Sequence, residues 1–145
     1  MRYMIFKSKS MKPRVIRSIA SQEYFFEEGC HILELWNAPH DPELSIARAR
    51  VEPGKKTRWH QLNDLVERYF ILEGEGRVEI GHLSPENVTH GDLVIIPPGC
   101  PQRIQNIGKT DLVFLAICTP RFSREKYADI QGTADSEIIP NSQTG

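Results

Sequence analysis

The sequence predicts an all-β barrel or sandwich. Short apolar segments recur along the 145 residues, and turns rich in glycine, proline, asparagine and aspartate separate them. No stretch shows helical heptads. Two segments, residues 53–76 and 91–106, repeat the same order of turn, strand and turn. At this length the chain forms one domain and can bury a substantial core.

The predicted elements follow the alternation of apolar and polar residues between turn signals. We expect strands over residues 23–36, 44–51, 57–62, 67–73, 77–80, 93–96, 102–106 and 112–118. Val15, Ile16 and Ile19 would add an edge strand within residues 12–20. Ser123 is a suitable N-cap for a short C-terminal helix over residues 124–130.

The two repeated segments resemble the paired motifs of the cupin superfamily. The first segment has the matching residues Gly54, His60, Glu67 and Gly74, and the second has Gly91, Pro97, Gly99 and Asn106. The resemblance covers about the middle third of the chain. It implies a double-stranded β-helix, the jelly-roll cupin barrel, with the predicted short C-terminal helix packed outside it.

The same resemblance implies a metal centre with altered ligands. In metal-binding cupins three histidines and one glutamate hold a divalent ion, but Leu62 and Gln102 occupy two of the histidine positions here. The implied ligands are His60, Glu67 and Gln102. One imidazole, one carboxylate and one amide oxygen suit a divalent transition metal such as Fe, Mn, Ni or Zn.

Each of these three residues also has a structural interpretation. His60 is consistent with a hydrogen-bonded core histidine, and Gln102 with a residue that hydrogen-bonds a ligand or Glu67 rather than a metal. Glu67 is consistent with one half of a salt bridge. An inward carboxylate without a partner is costly, so we expect a cation near it, either a metal ion or an arginine.

Four further residues are candidates for binding a substrate. Tyr69 shares a strand face with Glu67, and Arg58 shares one with His60. Arg48 and Arg50 lie two apart on one strand, so they point the same way. Two interpretations remain open for this pair: an inward face that binds an anionic substrate, or a solvent or subunit-interface face with the alternating alanines packed inward.

Composition indicates the cellular compartment and the classes of partner that the protein can bind. The formal net charge of −1 does not favour nucleic acid or an anionic membrane surface as the main partner. No apolar run reaches the length of a membrane span, and residues 1–20 lack the apolar core of a secretion signal. Three widely spaced cysteines favour reduced thiols and a cytoplasmic protein.

Two functions from different classes follow. The first is a metal-dependent enzyme of oxygenase, isomerase or lyase type that acts on a small polar or anionic molecule. The second is a metal-free barrel that binds a sugar or an organic acid without catalysis. We expect a barrel domain over residues 1–130, a polar and disordered tail over residues 131–145, and a homodimer, because an open edge strand favours pairing.

Overall fold

The computed structural model describes residues 11–133, which form a mostly β structure. Its strands are β1 (Tyr24–Phe26), β2 (Cys30–Trp36), β3 (Ser45–Val51), β4 (His60–Leu62), β5 (Val66–Glu73), β6 (Gly76–Ile80), β7 (Glu86–Val88), β8 (Leu93–Ile96), β9 (Gln102–Asn106), β10 (Leu112–Thr119) and β11 (Tyr127–Asp129). Two 3-10 turns, Ala20–Gln22 and Arg124–Lys126, and one helical turn, Gln131–Thr133, complete the described elements. Most predicted strands are confirmed with small shifts of their ends. The single strand predicted over residues 23–36 is instead two antiparallel strands, β1 and β2, joined by a turn, and β7 lies where no strand was predicted.

The strands form two antiparallel sheets that face each other. One sheet has the order β1-β2-β3-β10-β5-β8, and the other has the order β11-β4-β9-β6-β7. Alternate residues of both sheets meet between them; Val51, Ile71, Ile104 and Leu112 are all 0 % exposed. This arrangement is the predicted all-β double-stranded β-helix.

One motif glycine is required by both backbone conformation and space. Gly74 has a φ of +85°, which side chains rarely adopt. A Cβ atom there would lie 2.6 Å from the carbonyl oxygen of Asp111. The turn between β5 and β6 therefore depends on glycine, which explains why the spacing of the first motif predicts the fold.

The C-terminal part of the barrel differs from the predicted helix over residues 124–130. The chain makes only one 3-10 turn there and then forms β11, which pairs antiparallel with β4. Tyr127 lies opposite Leu62 in this pairing and is 8 % exposed. The edge of β4 supplies backbone partners, and burial of the tyrosine ring stabilises the strand. The helical turn comes later and is shorter than predicted.

The N-terminal edge also differs from the prediction. Residues 12–20 form no strand, and β1 is the edge strand instead. Residues 1–10 and 134–145, including most of the predicted tail, lie outside the described residues. Within residues 11–133, no helix is both long and apolar enough to cross a membrane.

Candidate functional site

His60, Glu67 and Gln102 lie together inside the barrel. His60 and Gln102 are partners in the pairing of β4 with β9, and Glu67 faces them from β5 in the opposite sheet. Their exposed fractions are only 1 %, 7 % and 0 %. Because side chains alternate along a strand, inward-facing residues of the two sheets meet across the core.

Both polar atoms of the Gln102 side-chain amide are hydrogen-bonded to other protein side chains. Its Nε2 donates to Oε1 of Glu67 at 2.9 Å, and its Oε1 accepts a hydrogen bond from the Tyr69 hydroxyl. Of the two interpretations of Gln102, the structure therefore shows the contact with Glu67. This chain of bonds fixes the orientation of the carboxylate.

His60 has a partner on each ring nitrogen. Its Nδ1 lies 2.6 Å from the carbonyl oxygen of Arg58, and since a carbonyl only accepts, Nδ1 carries a hydrogen. Its Nε2 lies 2.9 Å from Oε2 of Glu28. Glu28 was not among the predicted site residues; it lies in the turn between β1 and β2, far from either motif. No spacing links it to His60, so no sequence signal was available.

The contact between Glu28 and His60 is a buried ion pair. Burial lowers the pKa of His60, but the charge and hydrogen bond of Glu28 raise it by more than burial lowers it. The pKa of His60 therefore rises from 6.5 to about 9. Burial raises the pKa of Glu28, and the attraction and hydrogen bond of the imidazolium more than reverse this, so its pKa lies below the ordinary value. Both groups are therefore charged at neutral pH.

Glu67 is shifted in the opposite direction from Glu28. Burial and then repulsion from Glu28 raise its pKa to about 7, while His60 and the hydrogen bonds from Gln102 and Cys118 offset only part of this. Among the described residues no arginine pairs with this carboxylate, so the expected arginine is not found. The positive charge near Glu67 is the His60 imidazolium, which the sequence did not indicate. The pKa of Glu67 therefore lies near neutral pH.

A cavity of about 60 Å³ adjoins these groups. Its lining is mainly aromatic and aliphatic, and it contains three carboxylates but no lysine, arginine or histidine. The lining residues are Tyr24, Phe26, Glu28, Ile32, Glu34, Ser45, Ala47, Ala49, Leu62, Glu67, Tyr69, Phe114, Ala116, Cys118, Phe122 and Tyr127. His60 and Gln102 lie behind this wall and support it.

The predicted substrate-binding residues separate into two groups. Tyr69 lines the cavity, whereas the three arginines do not. On β3 the alanines face the cavity, so strand alternation turns Arg48 and Arg50 to the other face, where both pair with Glu23. Arg58 pairs with Asp129 at 2.6 Å.

The predicted metal ligands do not form a metal site in this arrangement. Both nitrogens of His60 and both amide atoms of Gln102 already have protein partners, and Leu62 supplies no donor atom. Over residues 11–133, no group of three or more His, Cys, Asp or Glu side chains is arranged to hold an ion. In this arrangement the donor atoms of His60 and Gln102 are therefore bonded to the protein and are not free to hold an ion.

Comparison with known sequences identifies relatives. The family model described as "Cupin domain" matches residues 47–118. An uncharacterized protein of Methanocaldococcus jannaschii is 36% identical over 104 residues, which is 70% of this chain and 82% of that protein. An oxalate-binding protein of Thermotoga maritima is 30% identical over 116 residues, or 79% of this chain and 92% of that protein.

Comparison with solved structures gives the same fold. A predicted oxalate decarboxylase from Thermotoga maritima superposes with a TM-score of 0.66 and 26% identity, over 74% of this chain and 99% of that one. A Streptomyces PAC13 variant solved with uridine gives a TM-score of 0.67 at 15% identity, over 83% and 93% of the chains. At that identity the second match concerns the fold alone.

Proposed function

The chain belongs to the cupin superfamily, and we propose that it binds a small polar molecule in its barrel and transfers a proton on that molecule with Glu67. Relatives named for oxalate support a small-molecule function of this barrel. The reaction class that follows is isomerisation or elimination, since both need proton removal and return.

One observation carries this proposal: Glu67 is a buried carboxyl on the cavity wall with a pKa raised to about 7. A general acid or base works best when its pKa lies near the operating pH. Gln102 donates to one oxygen of Glu67, and the Cys118 thiol lies 3.8 Å from the other. The group is therefore both tuned and oriented.

The proposed step removes a proton from carbon. The Glu67 carboxylate takes a C–H proton next to a carbonyl group, and the electron pair moves into an enolate. In an isomerisation of a hydroxy ketone or hydroxy aldehyde, the protonated Glu67 returns the proton to the former carbonyl carbon, while the hydroxyl proton on the first carbon moves to the former carbonyl oxygen, so that the carbonyl group changes place. In an elimination, Glu67 gives the proton to a hydroxyl group on the next carbon, which leaves as water as the carbon–carbon double bond forms. The fixed imidazolium of His60 holds positive charge near the site throughout.

Hydrogen–deuterium exchange tests this proposal. A panel of small hydroxy ketones and hydroxy aldehydes is incubated with the protein in D₂O and chelator, and loss of C–H signals is followed by NMR. We expect Glu67→Gln to slow exchange by about 10²–10⁴-fold. Glu34→Gln is the matched control, because Glu34 is a second carboxyl of the cavity wall that bonds Tyr24.

The outcomes separate catalysis from binding. Equal loss of exchange in both variants contradicts the role of Glu67. Binding of a compound to the cavity without any exchange in the parent protein contradicts catalysis and supports the alternative of a non-catalytic binding barrel. The comparison uses proteins that unfold at similar temperatures.

A metal-dependent enzyme is the second candidate, because the three predicted ligands do lie together. It requires Glu28 to release His60. Calorimetric titration with Zn²⁺ or Ni²⁺ tests it: Leu62→His and Gln102→His each add an imidazole and should tighten binding by about tenfold or more, whereas Glu67→Ala should abolish binding. Unchanged, negligible affinity in all variants contradicts a metal site.

We also propose a homodimer that covers the open N-terminal edge. Phe25 of the edge strand β1 is 65% exposed, and Val15 in the segment before it is 73% exposed. Pairing of such an edge with a second copy would bury both. Light scattering that gives 16.6 kDa at micromolar concentration contradicts the dimer.

A further inference from the structure

The hydroxyl group of Tyr69 is a buried hydrogen-bond donor. Tyr69 is 4% exposed, and its ring packs against Phe114 with 4.4 Å between the ring centroids. Burial, followed by repulsion from Glu67 and Glu28, raises the pKa of Tyr69 well above its ordinary value. The hydroxyl group therefore keeps its proton at neutral pH and donates it to Gln102.

Tyr69, Gln102 and Glu67 form a chain of hydrogen bonds that crosses from one sheet to the other and returns. Tyr69 and Glu67 lie two residues apart on β5 and face the same side, whereas Gln102 lies on β9 in the opposite sheet. Tyr69 donates to the oxygen of the Gln102 amide, and the nitrogen of that amide donates to Glu67. Both bonds tie Gln102 to the same strand, so they fix the amide relative to β5.

The two ends of the Gln102 amide have different partners for a chemical reason. A carboxylate only accepts hydrogen bonds, so Glu67 bonds the amide nitrogen and leaves the amide oxygen to the hydroxyl group of Tyr69. Donation to the oxygen polarises the amide and strengthens its N–H group as a donor. Without the hydroxyl group the oxygen would be buried without this donor, and one hydrogen bond instead of two would hold the amide.

The hydroxyl group of Tyr69 can be removed without removing a charge near Glu67. Besides burial, three other titratable groups that face Glu67 shift its pKa; they are Glu28 of the turn between β1 and β2, His60 of β4 and Cys118 of β10. Within residues 11–133, the hydrogen bonds of the Gln102 amide are those with Tyr69 and Glu67. A change of Tyr69 to phenylalanine therefore alters the support of the amide and leaves these other groups in place.

We propose that Tyr69 is a positioning residue: its hydroxyl group holds the Gln102 amide, and the amide in turn holds the Glu67 carboxylate at the cavity wall. The inference deepens the proposed function, because its consequence for proton transfer rests on Glu67 as the catalytic group. Tyr69 was predicted to bind the substrate, whereas in this role its hydroxyl group acts through Gln102.

The side-chain amide of Gln102 tests this role without any substrate. Its two Nε2 protons are observed by NMR of ¹⁵N-labelled protein at pH 8, above the pKa of Glu67 of about 7, so that the carboxylate is ionised. We expect Tyr69→Phe, which keeps the ring, to make these protons exchange with water at least about tenfold faster, as the loss of one buried hydrogen bond predicts. The proton bonded to Glu67 should also lose its downfield chemical shift, because that bond weakens.

Tyr127→Phe is the matched control. Tyr127 is a second buried tyrosine of the cavity wall, and among the described residues its hydroxyl group has no hydrogen-bond partner. Its removal should leave the exchange and the chemical shift of the Gln102 amide unchanged. If Tyr69→Phe leaves them unchanged as well, Tyr69 only fills space and the inference is overturned. An equal increase of exchange in both variants overturns it too, because that result shows a general loosening of the barrel.

Hydrogen–deuterium exchange of the substrate, the assay of the proposed function, gives a second readout. A hydroxyl group that acts through Gln102 changes the rate and not the binding, so Tyr69→Phe should lower kcat by about tenfold and leave KM within about twofold. In a protein that already carries Gln102→Met, Tyr69→Phe should have no further effect, since no amide is left to position. A higher KM at unchanged kcat would show that the hydroxyl group binds the substrate directly, and would overturn the inference.

The two readouts separate the inference from the proposed function. If the parent protein exchanges no substrate hydrogen but its Gln102 amide responds as expected, catalysis by Glu67 is contradicted and positioning by Tyr69 is supported. If substrate exchange depends on Glu67 while the Gln102 amide is the same in the parent protein and Tyr69→Phe, the proposed function stands and the inference is overturned.

Discussion

The segment that matches the cupin domain and the segments on either side of it contribute different things to the cavity. The matched residues 47–118 contain Glu67 and Gln102, which are joined by a hydrogen bond. The flanking segments contribute Glu28 and Tyr127, which lie outside the match. The matched segment thus builds the frame of the cavity, and the flanking segments add the charge of Glu28 and the ring of Tyr127 to its wall.

Removal of the flanking carboxylate should have the largest effect on stability. Glu28→Gln leaves the buried His60 without its counter-charge, and breaking a buried ion pair typically costs about 3–5 kcal/mol. We expect the lower end of this range at neutral pH, because the imidazole can lose its proton. Urea unfolding measures the change.

The matched control for this variant is Glu27→Gln. Glu27 is the neighbouring carboxylate and pairs with Arg124 at the surface, where its side chain is 49% exposed. Exposed pairs contribute at most about 1 kcal/mol. If Glu28→Gln lowers the free energy of unfolding by an equally small amount, the ion pair of Glu28 with His60 stabilises the protein no more than a surface ion pair does.

Stability should also fall as pH rises, because two buried groups hold protons more tightly in the folded protein. The pKa of His60 rises from 6.5 to about 9 on folding, so its contribution is complete below pH 6.5 and lost as pH approaches 9. That of Glu67 rises from 4.5 to about 7, so its contribution is lost between these values. Each group lowers the free energy of unfolding by up to about 1.4 kcal/mol per pH unit in its window.

The variant Glu67→Gln separates the contribution of Glu67 to the pH dependence of stability from that of His60. Urea unfolding of this variant should show little pH dependence between pH 4.5 and 7, while the decrease toward pH 9 remains because Glu28 still holds His60. A decrease that persists unchanged at the lower pH would mean that the titrating group belongs to the flank and not to the matched segment.

The smallest expected difference concerns the frame itself. Gly54 and Gly74 both have positive φ, +74° and +85°, so alanine should cost about 1–2 kcal/mol at either position. A Cβ at Gly54 has no atom within 4 Å, whereas one at Gly74 meets backbone at 2.6 Å. Gly74→Ala should therefore cost at least about 1 kcal/mol more by thermal unfolding. Equal losses would show that space at the turn is not limiting.

Much of the frame could be predicted because its signals are local. Turn glycines, prolines and alternating apolar residues define the strands, and alternation places Glu67, Tyr69 and Ile71 on one face, as the structure shows. The same rule offered two faces for Arg48 and Arg50, and only the packing of the sheet chose between them. Their partner Glu23 lies in another part of the chain.

The sequence by itself determined the all-β fold, because turn residues and the two-residue period of strands are local properties. The meeting of His60, Glu67 and Gln102 was what the resemblance of the two motifs implied. The tertiary structure decided which of these groups are charged and which partners they bond. Glu28 reaches His60 only when the turn after β1 packs against the segment before β4, where the carbonyl oxygen of Glu28 accepts a hydrogen bond from the amide of Arg58. Tyr127 lines the cavity only when β11 pairs with β4. A pKa depends on burial and on charges brought near by folding, and neither is present in the spacing of residues along the chain.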